Sequence, residues 1–261
     1  MRATSPNGII KKEVFMHNFF IKEPSCNGIY TIYGADYNHV KNVLRMQVGD
    51  TLLVSDGKCN NLCEIVSYEN DSVVVKIIEE NYCDSSLPIE IYLFQGLPKS
   101  DKMELIIQKA VELGVTGIIP VEMSRCVVKL DKNKKNIKTA RWQAISESAA
   151  KQCKRAFIPQ VLDVLTFSEA LKMSSEFDLL IVPYEDKNGM NSTKDALLKI
   201  KSGMKVGIMI GPEGGFSPEE IEMINNMGGL TVSLGKRILR TETAAIASLS
   251  MLMLYAEMNL K

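Results

Sequence analysis

Between residues 19 and 80 the apolar positions come in short runs, at 19–21, 30–33, 51–54, 62–68 and 73–78, and the last two flank the turn-forming quartet Glu69, Asn70, Asp71, Ser72. Runs of that length predict short strands. One interruption has helical spacing: Asp36 can cap a segment in which Val40, Val43 and Leu44 share a face, ended by Gly49 and Asp50. Together they predict a small β-barrel whose strands lie within 19–80, in a first domain of residues 16–84, with a polar linker at 81–87. Residues 1–15 keep no period and are set aside as an extension.

After Pro88 the rhythm changes. Strand-like runs at 89–94, 117–121, 178–182, 206–210 and 230–234 alternate with helical patterns at 101–113, 137–154, about 192–201, 217–227 and 241–257. Gly114 closes the first of these helices. Such alternation over 88–261 predicts an α/β domain with a mostly parallel sheet covered on both faces. Ligands of open parallel sheets sit beyond the carboxyl ends of the strands. Three loops lie there: VPYED at 182–186, GPEGGF at 211–216 and LGKRILRTET at 234–243.

Composition excludes several classes. A chain of 261 residues that is 46% hydrophobic can bury a sizeable core in one large or two unequal domains. The 6 cysteines are scattered and there are only 2 histidines, so neither a disulfide framework nor a zinc site is expected. The longest strongly apolar stretch, 244–256, carries serines and is too short to span a bilayer, and no leader pattern opens the chain. A cytoplasmic protein without membrane or metal partners is expected.

Net charge is +0, but this is an average. From Arg125 to Arg155 there are 10 Lys or Arg (Arg125, Lys129, Lys132, Lys134, Lys135, Lys138, Arg141, Lys151, Lys154, Arg155) against 2 acids, Asp131 and Glu147. A surplus of that size favours a polyanionic partner over a merely solvated helix face.

The loops narrow the chemistry. Gly214 and Gly215 allow left-handed or close-approach backbone, and the helix start after them presents free amides, so GPEGGF could hold a ligand by main chain alone or serve only as a tight turn stiffened by Pro212 and Pro218. No Gly-Lys-Ser/Thr follows and no G-x-G-x-x-G is present, which disfavours a phosphate-loop enzyme and a Rossmann-type dinucleotide site. In the third loop Thr241 is a plausible helix N-cap, and Glu242 suits the first turn. Arg240 does not suit it. A cation at the positive end of a helix calls for an anion or a developing negative charge nearby.

GPEGGFSPEE and LGKRILRTETAA, with QKAVELGV (108–115), SRCVVKL (124–130), RW (141–142), KQCKR (151–155) and VLRMQVGD (43–50), resemble the RsmE family of small-subunit ribosomal RNA methyltransferases, in the SPOUT superfamily. The resemblance runs from about Met16 to the C-terminus. Two departures stand out: a paired His-His of the small domain is here Asn38-His39, and the Glu-Ala-Ala of the basic helix is Ser148-Ala149-Ala150. The resemblance implies a PUA-like β-barrel for RNA recognition and a SPOUT domain whose C-terminal segment is threaded into a trefoil knot. It implies transfer of a methyl group from S-adenosylmethionine to ring nitrogen 3 of a uridine on the assembled small ribosomal subunit, by a homodimer. Carried onto this chain, the cofactor residues are Pro183, Gly211, Pro212, Glu213, Gly214, Gly215, Leu234, Gly235, Ile238, Leu239, Arg240 and Thr241. Arg240 would stabilise the uridine anion, and Glu242 is a candidate base, though a first-turn carboxylate is the favoured role for it. Arg45, Lys99, Arg125, Lys129, Lys134, Lys135, Lys138, Arg141 and Arg155 are the candidates for RNA. The competing reading is an RNA- or ribosome-binding module that uses the small barrel and the basic stretch and whose glycine loops are only turns. Binding of S-adenosylmethionine without RNA separates the two.

Overall fold

The structure, a computed structural model, describes residues 16–21, 23, 25–83, 85–184 and 189–260, so the expected extension at 1–15 lies outside the described residues. The chain divides into two compact units at Asp84/Ser85. The first is a five-stranded sheet of β1 (Asn18–Phe20), β2 (Ile29–Tyr33), β3 (Thr51–Ser55), β4 (Asn60–Glu69) and β5 (Ser72–Cys83), in the order β1-β3-β4-β5-β2. Only β1 and β3 run parallel. Alternating residues such as Phe19, Ile32, Leu52, Val54, Ile65, Val73 and Val75 form its core. The predicted helix differs in detail. A short α1 (Gly34–Asn38) with Tyr33 at its N-cap widens into a π-helical turn (His39–Val43), leaving Asp36 in the first turn. Val40 is buried while Val43 is 68% exposed, because the wider turn rotates Val43 off the face that regular helical spacing would give it. The His39 ring lies near those of His17 and Phe19, and the exposed Asn38 accepts a hydrogen bond from Asn42. β5 extends through 81–83, where Cys83 pairs with Asn60, so the first half of the predicted linker is strand.

The second unit holds one parallel sheet. Its strands are β6 (Glu90–Gly96), β7 (Gly117–Glu122), β8 (Gln160–Val161), β9 (Leu165–Thr166), β10 (Leu179–Pro183), β11 (Lys205–Ile210) and β12 (Leu230–Val232), in the order β12-β10-β11-β6-β7-β8 with β9 also on β7. The central strands are buried almost end to end, which explains their near-continuous apolar runs. Helices α2 (Lys102–Glu112), α3 (Lys132–Gln152), α4 (Phe167–Ser174), α5 (Met190–Leu198), α6 (Pro218–Asn226) and α7 (Thr241–Asn259) link and cover them. α3 starts five residues before the apolar pattern predicts, because the Asp131 carboxylate accepts the Lys134 amide and caps a first turn that is wholly polar. α6 starts at a capping box: Ser217 and Glu220 satisfy each other's backbone amides, with Pro218 at the first helical position. From β12 at one edge the chain returns to the middle, where α7 packs on α2 and β11.

Candidate active site

The sheet order places the carboxyl ends of β10, β11 and β6 side by side. At β6 the run Tyr-Leu-Phe is broken by Gln95, which is wholly buried. Its amide nitrogen donates to the Gly96 carbonyl at 2.9 Å and to the Thr241 hydroxyl at 3.0 Å, and that hydroxyl donates to the Gly211 carbonyl at 2.7 Å. The ends of β6 and β11 and the start of α7, with Gln95 and Thr241 146 residues apart, are thereby pinned together. Thr241 is therefore the first helical residue, buried in this relay, and Arg240 takes the N-cap position without capping by its side chain. A polar residue inside an apolar strand run was the one sequence signal for Gln95, and sequence reasoning missed it.

The GPEGGF loop packs against protein more closely than its glycines suggested. A Cβ on Gly96 would stand 2.7 Å from the Pro212 ring, and one on Gly214 would stand 2.9 Å from Arg125 Cβ and 3.1 Å from the Arg125 carbonyl. The space that the missing Gly214 side chain leaves is taken by the Cβ and carbonyl of Arg125. Gly215, at φ +66°, makes the turn itself and donates to the Pro212 carbonyl. The Glu213 carboxylate accepts the Lys99 amide at 3.0 Å and the Lys102 ammonium at 2.9 Å. Burial would raise its pKa, but the hydrogen bonds from Lys102 and from backbone amides outweigh it and hold the carboxyl below its ordinary range. The same ammonium stands 3.4 Å from Glu242 Oε2.

In the third loop Gly235, at φ +103°, donates to Ser233 Oγ. Leu234 and Leu239 are partly buried, Ile238 is 100% exposed and Arg240 is exposed. Among the described residues no acid forms an ion pair with Arg240. Pro183 ends β10, half-buried and in register with Val232, which leads into this loop. Glu185 and Asp186 of the first loop lie outside the described residues. The structure therefore brings together Pro183, Gly211–Gly215 and 234–241, with Gln95, Lys102 and Glu242 beside them. A groove of about 790 Å³ lined by Thr139, Gln143, Gln160 and Asp163 takes no residue from these loops.

The basic candidates separate. Arg125, exposed, donates to the Gly214 carbonyl at 3.1 Å, and Lys99 and Lys129 are also exposed. On α3, Lys134 is exposed beside Asp131, Arg141 pairs with Glu104 at 2.8 Å and Lys138 lies over the Trp142 ring. Lys135 is tied to Glu122 at 2.7 Å. Arg45, in the first unit, is exposed. Arg155 is the exception: only 4% exposed, it donates to the Val111 carbonyl at the end of α2 and stacks on Phe157, so it cannot meet a phosphate and leaves the RNA set. Ser148, one of the two departures, is exposed on α3 while Ala149 and Ala150 pack inward.

No helix of the described residues is long and apolar enough to cross a membrane, and no cluster of three potential metal ligands occurs among them. The profile of an RNA methyltransferase domain matches residues 85–253, and that of an RNA methyltransferase PUA domain matches residues 32–78. The chain is 40% identical over 225 residues to the ribosomal RNA small subunit methyltransferase E of Bacillus subtilis, covering 85% of this chain and 88% of that one. It is 30% identical over 232 residues to the protein of the same name from Mesomycoplasma hyopneumoniae, covering 88% and 96%. Among solved structures, the ribosomal RNA small subunit methyltransferase E of Neisseria gonorrhoeae bound to S-adenosylmethionine superposes with a TM-score of 0.78 at 32% identity, over 92% of this chain and 97% of that one.

Proposed function

This chain belongs to the ribosomal RNA small subunit methyltransferase E family of RNA methyltransferases, and from that membership we propose that it methylates ring nitrogen 3 of a uridine in 16S ribosomal RNA, using S-adenosylmethionine, on the assembled small ribosomal subunit. One observation carries the reading: the Thr241 hydroxyl fixes the start of α7 to the GPEGGF loop, while the adjacent Arg240 exposes a cation that no acid of the described residues neutralises. A helix start that keeps such a charge is built for an anion formed during reaction.

The residues present fit the cofactor. The three loops offer main-chain groups and the exposed apolar Ile238, a donor set that suits an adenosyl group rather than a polyphosphate. When bound, S-adenosylmethionine supplies an electrophilic methyl on sulfonium sulfur. The loops align the acceptor and exclude water. Arg240 stabilises the uridine imide anion. Glu242 is engaged with Lys102, so its part is electrostatic support and not proton abstraction. Lys99, Arg125, Lys129, Lys134, Lys138 and Arg141 make phosphate contacts, and the first unit, with Arg45, adds recognition of RNA shape.

The protein works in the cytoplasm as a homodimer. Supporting this, α5 and α7 expose Leu198, Leu254 and Met258 around an apolar groove of about 310 Å³ lined by Met190, Leu197, Met251 and Tyr255, which a second copy would cover. We also assign to the return from β12 to α7 the crossing that a trefoil knot requires. The test is transfer of labelled methyl to small subunits from cells lacking this protein, followed by mapping of the base. Label on uridine nitrogen 3 is expected. Absence of both methyl transfer and cofactor binding would leave a binding module instead.

A further inference from the structure

Lys102 opens α2, where a cation meets the positive end of the helix dipole and is ill placed unless acids offset it. Two do, Glu213 and Glu242, from two of the three loops that define the site. Glu213 Oε1 stands at 2.9 Å and Glu242 Oε2 at 3.4 Å from the one ammonium, which places the two oxygens within roughly 6 Å of each other, close enough for strong mutual repulsion without it. All three side chains are shielded, with exposures of 29% for Lys102, 26% for Glu213 and 15% for Glu242, so solvent screening is incomplete. Glu242 Oε2 is also buried from solvent without a hydrogen bond, leaving Lys102 as its electrostatic partner.

From this arrangement we infer that Lys102 is a positioning residue of the methyl transfer, an electrostatic clamp that holds the GPEGGF loop and the Arg240-bearing start of α7 at their working separation. The clamp rests on the function proposed above. Removing the ammonium while leaving both carboxylates drives the two loops apart, so the damage comes from repulsion and not from any missing interaction with substrate. Removing one carboxylate as well relieves it.

The experiment compares wild type, Lys102→Met, Lys102→Arg, Glu213→Gln and the double variant Lys102→Met/Glu213→Gln, reading kcat on small subunits and S-adenosylmethionine affinity by calorimetry. Lys102→Met is expected to lower kcat by about 10- to 100-fold and to weaken cofactor binding by a smaller factor, roughly threefold or more. Lys102→Arg should stay close to wild type. The double variant should recover most of both losses, since a glutamine side chain in place of Glu213 can still accept the Lys99 amide. Values for Lys102→Met within twofold of wild type would overturn the clamp. So would a loss that the double variant fails to recover. The affinity arm needs no RNA: if the wild type methylated no rRNA, the proposed acceptor would fall, while recovery of affinity in the double variant would still decide for or against the clamp.

Discussion

At the scale of single residues the site is held by few polar atoms, each with a separable role. Arg240 should act in the transition state more than in the ground state, because no acid of the described residues pairs with its guanidinium before reaction. Arg240→Ala is expected to cut kcat by a factor of ~100 to 1,000 with a far smaller effect on cofactor affinity, as loss of one preorganised charge donor does. Near-normal turnover in a steady-state assay would remove it from the chemistry. Gly214 has a different vulnerability. Because a Cβ there meets the Arg125 Cβ at 2.9 Å and the Arg125 carbonyl at 3.1 Å, Gly214→Val should displace the GPEGGF loop from segment 123–126 and lower thermal stability as well as cofactor binding. A variant that binds normally at an unchanged melting temperature would contradict the close approach. Arg155 is the control for charge: replacing it with Met removes its buried charged hydrogen bond to the Val111 carbonyl, which keeps only the Gly114 amide, a loss of about 1–3 kcal/mol, yet should leave the salt dependence of RNA binding unchanged.

At the scale of elements, α3 is the clearest case. Its first turn is polar throughout and depends on Asp131, whose carboxyl is held below its ordinary pKa by hydrogen bonds from the Lys134 amide and side chain. A depressed folded-state pKa contributes stability that is complete above the ordinary carboxylate range and is lost as pH falls through the lower folded value. The N-terminal turn of α3 should accordingly fray in acid, while hydrogen exchange at neutral pH should show it protected. The same helix carries the RNA prediction. Replacing Lys134, Lys135 and Lys138 with glutamine should flatten the log-log salt dependence of binding to small subunits, by up to roughly one unit for each phosphate that is no longer neutralised. The share from Lys135 should be least, since its ammonium is engaged by Glu122 at 2.7 Å. An unchanged slope would show these lysines to be a solvated face.

At the scale of the whole molecule, the two compact units divide at Asp84/Ser85, and all of the cofactor candidates fall in the second. Residues 1–84 carry 8 basic against 11 acidic side chains, so the first unit is not the main source of phosphate affinity. Deleting it should impair methylation of the small subunit while leaving S-adenosylmethionine binding in place, a comparison that calorimetry and a methyl-transfer assay settle together. Loss of cofactor binding in a folded deletion variant would show that the first unit completes the site. Equal methylation of protein-free rRNA and of assembled subunits would refute the particle requirement.

The sequence by itself determined the two-part organisation, the parallel character of the second sheet and the positions of the glycine loops, because these follow from the period of apolar residues and from backbone freedom, which are local properties. It also marked Arg240, since a cation at a helix start is a conflict visible in a dozen residues. It misplaced the start of α3 and the face of Val43, where a polar cap and a π-turn replaced the regular apolar period. It counted Arg155 among the RNA contacts, because charge composition does not report burial. Only the tertiary structure decided that Gln95, Thr241 and Gly211 form one hydrogen-bonded relay, that Gly214 admits Arg125, and that Lys102 stands between Glu213 and Glu242. Each joins residues far apart in the chain, brought together where β11, β6 and β7 end side by side and, for Thr241 and Glu242, by the return of α7 to the middle of the sheet, and so has no signature in local pattern.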